Sequence, residues 1–174
     1  MMNLRPAAFD STPKEMRYYL GLGSNLGDRK AFIEACQERL IRSGVSILRL
    51  SHLYLTEPVG ERPQPWYLNR VIEVESSLGP EQLLMTVKAI ESAMGRNPAP
   101  LQMARIIDID ILLAEDRVVD SETLVIPHPR MAGRRFVLVP LNEIAPDVIH
   151  PTSNRTVRQL LAECRDRSLV IVFV

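Results

Sequence analysis

Two aspartates in an apolar segment are the residues of this sequence whose type and spacing best suit chemistry. Asp108 and Asp110 lie in the isoleucine- and leucine-rich segment from Ile106 to Leu113. Side chains two positions apart on a strand point to the same face, which places the carboxylates roughly 6–7 Å apart. Such a pair repels itself and resists desolvation, so a divalent cation shared with phosphates is a suitable partner. Two ordinary acids on a solvent-facing strand are an equally compatible interpretation of an isolated Asp-x-Asp motif.

Basic residues gather on both sides of this acidic pair. Arg96 and Arg105 flank the loop before the acidic strand, and the segment 128–135 holds His128, three arginines and no acid. Arginine forks match phosphate oxygens, and histidine can also donate to them. Each arginine alone is typical of an ordinary surface residue. Carboxylates bracketed by arginines, however, are what phosphoryl transfer requires.

The glycine-rich segment 21–27 predicts a tight turn between a strand and a helix rather than a dinucleotide-binding loop. Its third glycine, Gly27, falls one position too late for the Gly-x-Gly-x-x-Gly spacing, and Leu26 stands where that glycine is needed. The sequence also has no Walker motif. Any use of ATP is therefore expected to proceed without a P-loop.

Several further residues admit both a structural and a binding interpretation. Glu91 lies on or beside the apolar stripe of a predicted helix, so it is either a satisfied buried carboxylate or a binding group. Trp66, Tyr67, Asn69 and Phe136 either line a flat aromatic slot or belong to the core. The residues alone leave these alternatives open.

The hydrophobic pattern predicts the elements that position these residues. The core elements are a strand at 17–20, a helix around 32–41 that Gly44 ends, strands at 45–55 and 67–78, a helix from Pro80 to Met94, and a strand at 105–113. This β-α-β-β-α-β order is typical of an α+β, ferredoxin-like fold, an antiparallel sheet flanked by helices, which we expect on one face. The predicted C-terminal additions are short strands near 118 and 125, helices at 136–144 and 156–164, and an apolar strand at 169–174.

The composition limits the classes of protein to consider. The 174 residues include 21 basic and 21 acidic side chains, and this balance argues against binding nucleic acid by general electrostatics. The length predicts a single domain over 17–174 after a loosely ordered extension at 1–16. No apolar run reaches the ~20 residues of a membrane helix. The separated Cys36 and Cys164, without a secretory segment, predict a cytoplasmic protein.

In combination, the motifs resemble the 6-hydroxymethyl-7,8-dihydropterin pyrophosphokinase family of folate biosynthesis. The resemblance runs in order from about residue 18 to about residue 165. It is carried by the segments 20–28, 51, 53–60, 64, 67–69, 90–91, 95–96, 105–112, 126–130, 134, 136–138 and 140–141. The chain departs from the family between Arg96 and Arg105, where it lacks the second arginine, the aromatic residue and the Gly-Pro pair of many members.

The resemblance implies an activity and a set of site residues. ATP would pyrophosphorylate the hydroxymethyl group of the pterin and AMP would leave. Asp108 and Asp110 would hold two Mg²⁺ ions, while Arg96 and Arg105 would assist the transfer. The implied nucleotide-binding residues are Glu91, Ile111, His128 and Arg134, and the implied pterin-binding residues are Thr56, Pro58, Val59, Tyr67, Asn69 and Phe136.

The expected partners are ATP and a pterin, with no nucleic acid and no membrane, and the expected state is a monomer. Two rival classes share the predicted topology, a ligand-binding module without catalysis and an RNA-binding sheet. A binding module gives no reason for two acids on an apolar strand. An RNA-binding sheet calls for exposed aromatic side chains, and aromatic residues make up only 5% of this chain.

Overall fold

A six-stranded antiparallel sheet forms the centre of the computed structural model, which describes residues 14–58, 64–96 and 104–174. The strands of this sheet are β1 (Met16–Ser24), β2 (Ser46–Leu50), β3 (Tyr54–Thr56), β4 (Tyr67–Ser76), β5 (Asp108–Ala114) and β10 (Val170–Val172). The helices are α1 (Arg29–Arg42), α2 (Pro80–Ala93), α3 (Arg135–Ile144) and α4 (Val157–Glu163), with a short 3-10 helix at Met131–Gly133. Two small ribbons complete the described structure, β6 (Val119–Asp120) with β7 (Val125–Ile126) and β8 (Ile149–His150) with β9 (Arg155–Thr156).

The strand order confirms the predicted α+β class and its ferredoxin-like core. The strands lie in the order β10-β3-β4-β1-β5, and β2 pairs with β4. All of these pairs are antiparallel. The order places β1 at the centre of the core, between β4 and β5, so both acids of β5 lie beside β1.

The helices cover both faces of the sheet, so the expectation that they lie on one face is wrong. Leu20 and Ile72 pack in the core beneath α1 and α2, whereas Val71 and Leu113 pack with Leu141 of α3 on the opposite face. Successive residues of a strand point to opposite faces, and β4 buries both Val71 and Ile72. A strand that is apolar on both faces requires a cover on each side.

Local sequence signals explain where α1 and α2 begin and end. The Asp28 carboxylate accepts a hydrogen bond from the amide of Ala31 at 3.0 Å and caps α1. Pro80 opens α2 at the first turn, where its missing amide proton is not needed. Gly44 and Gly95 follow the two helices with φ angles of +83° and +90°, a conformation that glycine adopts without strain. Both predicted helices are confirmed.

Three predicted boundaries change in the structure. The strand β1 continues through Ser24, so residues 21–24 belong to a strand and not to the predicted turn, because they pair with β4 on one side and β5 on the other. The strand predicted at 45–55 is divided into β2 and β3. Between them, Ser51 donates its amide to the Val71 carbonyl and accepts the Val71 amide on its hydroxyl, both at 3.0 Å. The strand β5 begins at Asp108 rather than at Arg105.

Both ends of the described chain meet the sheet. The predicted extension spans 1–16, of which residues 1–13 lie outside the described part and Met16 already belongs to β1. The apolar C-terminal strand predicted from the sequence is β10, which pairs with β3 as an added edge. Within the described ranges, no helix combines the length and apolar character needed to cross a membrane.

Candidate active site

A cavity of about 750 Å³ opens on the face of the sheet that also carries α3. Strands β1, β3, β4 and β5 contribute its floor, and the segment from Pro129 to Val137 contributes one wall. The predicted site residues that line it are Thr56, Tyr67, Asn69, Arg96, Arg105, Asp108, Asp110, Arg134 and Phe136. Residues predicted for four different roles therefore share one cavity.

The acidic pair lies on the cavity face of β5, as the two-residue spacing predicts. Asp108 and Asp110 are both partly buried, while Ile109 between them is buried on the opposite face. Across the strand pair, Gly23 faces Asp108 and Gly21 faces Asp110. Because glycine carries no side chain, nothing on β1 covers the two carboxylates from that side.

The two predicted catalytic arginines both contact Asp108. The Nη1 atom of Arg96 lies 2.9 Å from Asp108 Oδ1, and the Nη1 atom of Arg105 donates to Asp108 Oδ2 at 2.8 Å. Asp110 forms no ion pair within the described part of the chain. Of the acidic pair, Asp108 is thus occupied by guanidinium groups and Asp110 is available.

Glu91 is a buried carboxylate beneath this cluster, on the helix side of the sheet. Its exposed fraction is 2%, its Oε1 atom accepts the amide of Ile109 at 2.7 Å, and its Oε2 atom accepts from Lys88 Nζ at 3.0 Å. Arg96 also forms an ion pair with Glu91. Burial raises the pKa of Glu91, and Lys88, the Ile109 amide and Arg96 oppose that rise. Glu91 therefore connects α2 to β5 and to Arg96 rather than lining the cavity itself.

His128 lies directly before the segment from Pro129 to Val137 that forms one wall of the cavity, and Arg134 lies within it. The His128 amide donates to the carbonyl of Leu112 on β5 at 2.9 Å, and its Nδ1 atom accepts the amide of Arg130 at 3.2 Å. Burial lowers the pKa of His128, Asp110 opposes this change, and Arg134 and Arg130 add to it. Burial likewise lowers the pKa of Arg134, whose guanidinium lies 5.4 Å from the centroid of the Phe136 ring.

Four of the residues predicted to bind the pterin line the cavity, and we call them the pterin wall: Thr56, Tyr67, Asn69 and Phe136. Asn69 Nδ2 donates to the hydroxyl of Thr56 at 2.6 Å, so neighbouring strands hold this amide in place. A flat wall with aromatic rings and an oriented amide suits a planar heterocycle that has hydrogen-bonding edges.

Four of the predicted residues are not among those that line the cavity. Ile111 is buried in the core with α1 and α2, and Glu91 lies beneath the sheet as described above. His128 and Pro58 belong to the described chain without lining the cavity. Val59, also predicted to bind the pterin, lies outside the described residues, as do positions 97–103, where the sequence departs from the family.

Sequence reasoning missed several cavity residues. The local sequence predicts a turn at Gly21 and Gly23, which line the cavity floor, and it carries no signal that marks Lys88 of α2. The available signal was the alternation of β1, in which Tyr19, Gly21 and Gly23 share one face and Leu20 and Leu22 share the other. A strand read to its full length would have placed the glycines beside the acids.

The fold and the cavity together define an α+β protein in which a carboxylate pair, arginines and aromatic side chains share one site. Comparisons with known proteins agree with that class. The family model "7,8-dihydro-6-hydroxymethylpterin-pyrophosphokinase (HPPK)" matches residues 19–146. The chain therefore belongs to this family, and the family and enzyme class predicted from the sequence are confirmed.

Individual relatives support the assignment. The 2-amino-4-hydroxy-6-hydroxymethyldihydropteridine pyrophosphokinase of Methylorubrum extorquens is 42% identical over 148 residues, 84% of this chain and 92% of that protein. The folic acid synthesis protein fol1 of Pneumocystis carinii is 38% identical over 151 residues, 87% of this chain. This chain spans only 20% of the length of that protein.

Solved structures agree on the fold. The crystal structure of a triple mutant of Plasmodium falciparum HPPK-DHPS superposes with a TM-score of 0.71 at 18% sequence identity. The match covers 88% of this chain and 44% of the other. At this identity the likeness concerns the fold alone, and it places the ferredoxin-like core within a longer protein.

Proposed function

We propose that the cavity is where this chain transfers a pyrophosphoryl group from ATP to 6-hydroxymethyl-7,8-dihydropterin. In that reaction the hydroxymethyl oxygen bonds to the β-phosphorus, and the bond from this phosphorus to the oxygen bridging to the α-phosphorus breaks. AMP leaves with the bridging oxygen, and the hydroxyl proton is released. The observation that carries the proposal is that the acidic pair, the predicted Arg96, Arg105 and Arg134, and the pterin wall open onto one cavity.

Asp108 and Asp110 fit a magnesium site. Their carboxylates share one sheet face, and Gly21 and Gly23 leave the space in front of them open. Within the described ranges, no cluster of three or more His, Cys, Asp or Glu side chains could hold a metal. A pair of carboxylates suits Mg²⁺, which takes its remaining ligands from phosphates and water. We propose two ions, which when bound would neutralise charge on the triphosphate.

Arg96 and Arg105 are proposed to assist the transfer. Both guanidinium groups reach the acidic pair, since each contacts Asp108. Arginine forks bind phosphate oxygens with the same geometry as carboxylate oxygens. The two arginines can therefore exchange a carboxylate partner for a phosphate partner through side-chain rotation. His128 and Arg134 are proposed to hold phosphate oxygens from the opposite wall.

The pterin wall is proposed to bind the ring of the acceptor. Tyr67 and Phe136 offer aromatic surface, and Asn69 offers an amide that its hydrogen bond to Thr56 keeps oriented. Pro58 and Val59 are proposed to complete this side. Glu91 and Ile111 are proposed to support the nucleotide site from the opposite face of the sheet. Glu91 does so by holding Lys88 and Arg96, which line the cavity.

Four further predictions belong with this function as proposals: a monomer, a cytoplasmic location, no binding of nucleic acid, and a single domain over 17–174. The equal numbers of basic and acidic residues support the third. Size-exclusion chromatography with light scattering tests the first directly.

The decisive experiment mixes the chain with Mg²⁺, ATP and 6-hydroxymethyl-7,8-dihydropterin and follows the adenine nucleotides by chromatography. We expect AMP to form in a one-to-one ratio with pyrophosphorylated pterin. ADP as the product would indicate transfer of a single phosphoryl group. Either that result or the absence of any product at saturating substrates would contradict the proposal.

A further inference from the structure

The amide side chain of Asn25 connects the segment before β4, which leads to Tyr67, with the segment before β5, which carries Arg105. Asn25 follows β1 directly and is 2% exposed. Its Oδ1 atom accepts the backbone amide of Arg105 at 2.6 Å, and its own backbone amide donates to the Arg105 carbonyl at 3.1 Å. The backbone of Arg105 is thus attached at both its donor and its acceptor.

The other side of the same amide faces the loop before β4. Asn25 Nδ2 donates to Gln64 Oε1 at 3.2 Å and to the Pro65 carbonyl at 3.4 Å. Gln64 Oε1 also accepts the hydroxyl of Tyr67 at 3.1 Å. The chain of contacts therefore continues from Arg105 through Asn25 to Tyr67 of the pterin wall.

We propose that Asn25 is a positioning residue that couples occupancy of the pterin wall to the placement of Arg105. The inference rests on the function proposed above and adds a residue to which no role in it has been given. Asn25 is suited to this role because its buried amide has an acceptor for one loop and donors for the other, and both are used. An aliphatic side chain could fill the space but could not make either connection.

Coupling of this kind has a thermodynamic signature. If the two segments are joined through Asn25, a nucleotide beside Arg105 alters the affinity for a pterin beside Tyr67, and the effect is reciprocal. A residue with a structural role alone would lower stability. It would not change the ratio of the pterin affinity measured with a bound nucleotide to the affinity measured without one. The experiment therefore measures this ratio rather than activity.

The test compares three variants with the wild-type chain. Asn25→Ala removes both side-chain connections and leaves the backbone hydrogen bond to the Arg105 carbonyl. Gln64→Ala removes only the connection to Gln64 and Tyr67, and Thr156→Ala is the control. Thr156 caps α4 through its hydrogen bonds with Gln159, so its loss lowers stability away from the cavity. Pterin affinity is measured by calorimetry with and without Mg²⁺ and α,β-methylene-ATP, which cannot transfer its pyrophosphoryl group.

We expect the nucleotide analogue to tighten pterin binding at least about fivefold in the wild type and in Thr156→Ala. In Asn25→Ala and Gln64→Ala the pterin affinities with and without the analogue should become nearly equal. Amide hydrogen exchange of Arg105 gives an independent readout, because its partner is Asn25 Oδ1. Exchange should quicken by about tenfold or more in Asn25→Ala and stay slow in Gln64→Ala and Thr156→Ala.

Two results would overturn the inference. One is a wild-type ratio that persists in Asn25→Ala and Gln64→Ala, and the other is a change in ratio that Thr156→Ala reproduces. Neither measurement requires turnover. If the wild-type chain forms no AMP but shows the expected ratios, the proposed function fails while the role of Asn25 stands.

Discussion

Strands β1 and β5 present two contrasting faces that are built from alternate residues of the same segments. The sealed face comprises Leu20, Leu22, Ile109 and Ile111, all buried beneath α1 and α2. The open face comprises Gly21, Gly23, Asp108 and Asp110, all of which line the cavity. Because successive side chains of a strand point to opposite faces, the same two strands carry a hydrophobic core on one side and a charged site on the other.

The register of β1 against β5 explains the difference. Leu20 pairs with Ile111 and Leu22 with Ile109, so large side chains face each other on the sealed face. On the open face each aspartate is opposite a glycine, so no side chain of β1 covers either carboxylate. We therefore expect substitutions on the sealed face to change stability and substitutions on the open face to change activity.

The largest expected effect is on the open face, from Asp110→Ala. Removing one of the two carboxylates proposed to bind Mg²⁺ should lower kcat by about three orders of magnitude, since a bound cation contributes several kcal/mol to stabilising the transition state. The free energy of unfolding should change little, because Asp110 has no ion pair in the described structure. Initial-rate kinetics and urea unfolding measure both. Asp120→Ala, an exposed acid on β6, is the matched control, and a wild-type rate in Asp110→Ala would contradict the metal assignment.

The reciprocal substitution on the sealed face is Leu20→Ala. Leu20 is fully buried, and the cavity left by its truncation should lower the free energy of unfolding by about 2–5 kcal/mol. Urea unfolding at 25 °C measures the loss, and the rate per folded molecule should stay near that of the wild type. Leu26→Ala removes a leucine that is 44% exposed and should cost little. A large drop in the rate of folded Leu20→Ala would show that the two faces are not independent.

Two glycines on the open face provide a matched pair of smaller effects. A Cβ added at Gly23 would lie 2.5 Å from Asn69 Oδ1, whereas one added at Gly21 would meet only Leu112 at an ordinary 3.5 Å. Gly23→Ala should therefore displace the Asn69 amide and raise the KM for the pterin by about tenfold, the loss of one oriented hydrogen bond. Gly21→Ala should change this KM little. Equal KM values for the two variants would contradict the proposed role of Asn69.

Sequence reasoning predicted the open face only in part. The spacing of Asp108 and Asp110 was sufficient to place both on one face, because the period of a strand is fixed by its backbone. The same spacing does not place Gly21 and Gly23, since glycine is common in turns as well as in strands that approach a site, and local sequence does not distinguish the two roles. Only the pairing of β1 with β5 shows that these glycines face the acids.

The helix layers show a similar limit. The apolar stripes of α1 and α2 predict that each helix covers a sheet, but the stripes do not say which face it covers. The adjacent buried residues Val71 and Ile72 required a second layer, which α3 supplies. Contacts between distant segments, such as Asn25 with Arg105, follow from the folded chain and have no local signature in the sequence.

The occupied state of Asp108 gives a further test of the open face. Arg105→Ala frees Asp108 Oδ2 and should raise the affinity for Mn²⁺ alone, used as a probe for the metal site, by about tenfold. Arg134→Ala removes the same charge from the same cavity without removing a contact to either aspartate. It should therefore change Mn²⁺ affinity much less. Titration followed by electron paramagnetic resonance measures both, and equal increases would indicate a general charge effect instead of direct competition.

The smallest expected effect concerns Glu91. This carboxylate is buried under the sealed face and is connected to Asp108 of the cavity through Arg96. Because burial raises its pKa, the folded protein holds a proton above pH 4.5 that the unfolded chain has released. The unfolding free energy contributed by Glu91 should therefore fall as pH rises from 4.5 through the raised folded-state value. Glu91→Gln should remove that slope in urea unfolding between pH 4.5 and 7, whereas Glu81→Gln, an exposed acid of the same helix, should keep it. If the unfolding free energy contributed by Glu91 instead rose with pH over this range, the attraction of Lys88 and Arg96 for the Glu91 carboxylate would outweigh the effect of burial. The charged carboxylate would then stabilise the sealed face.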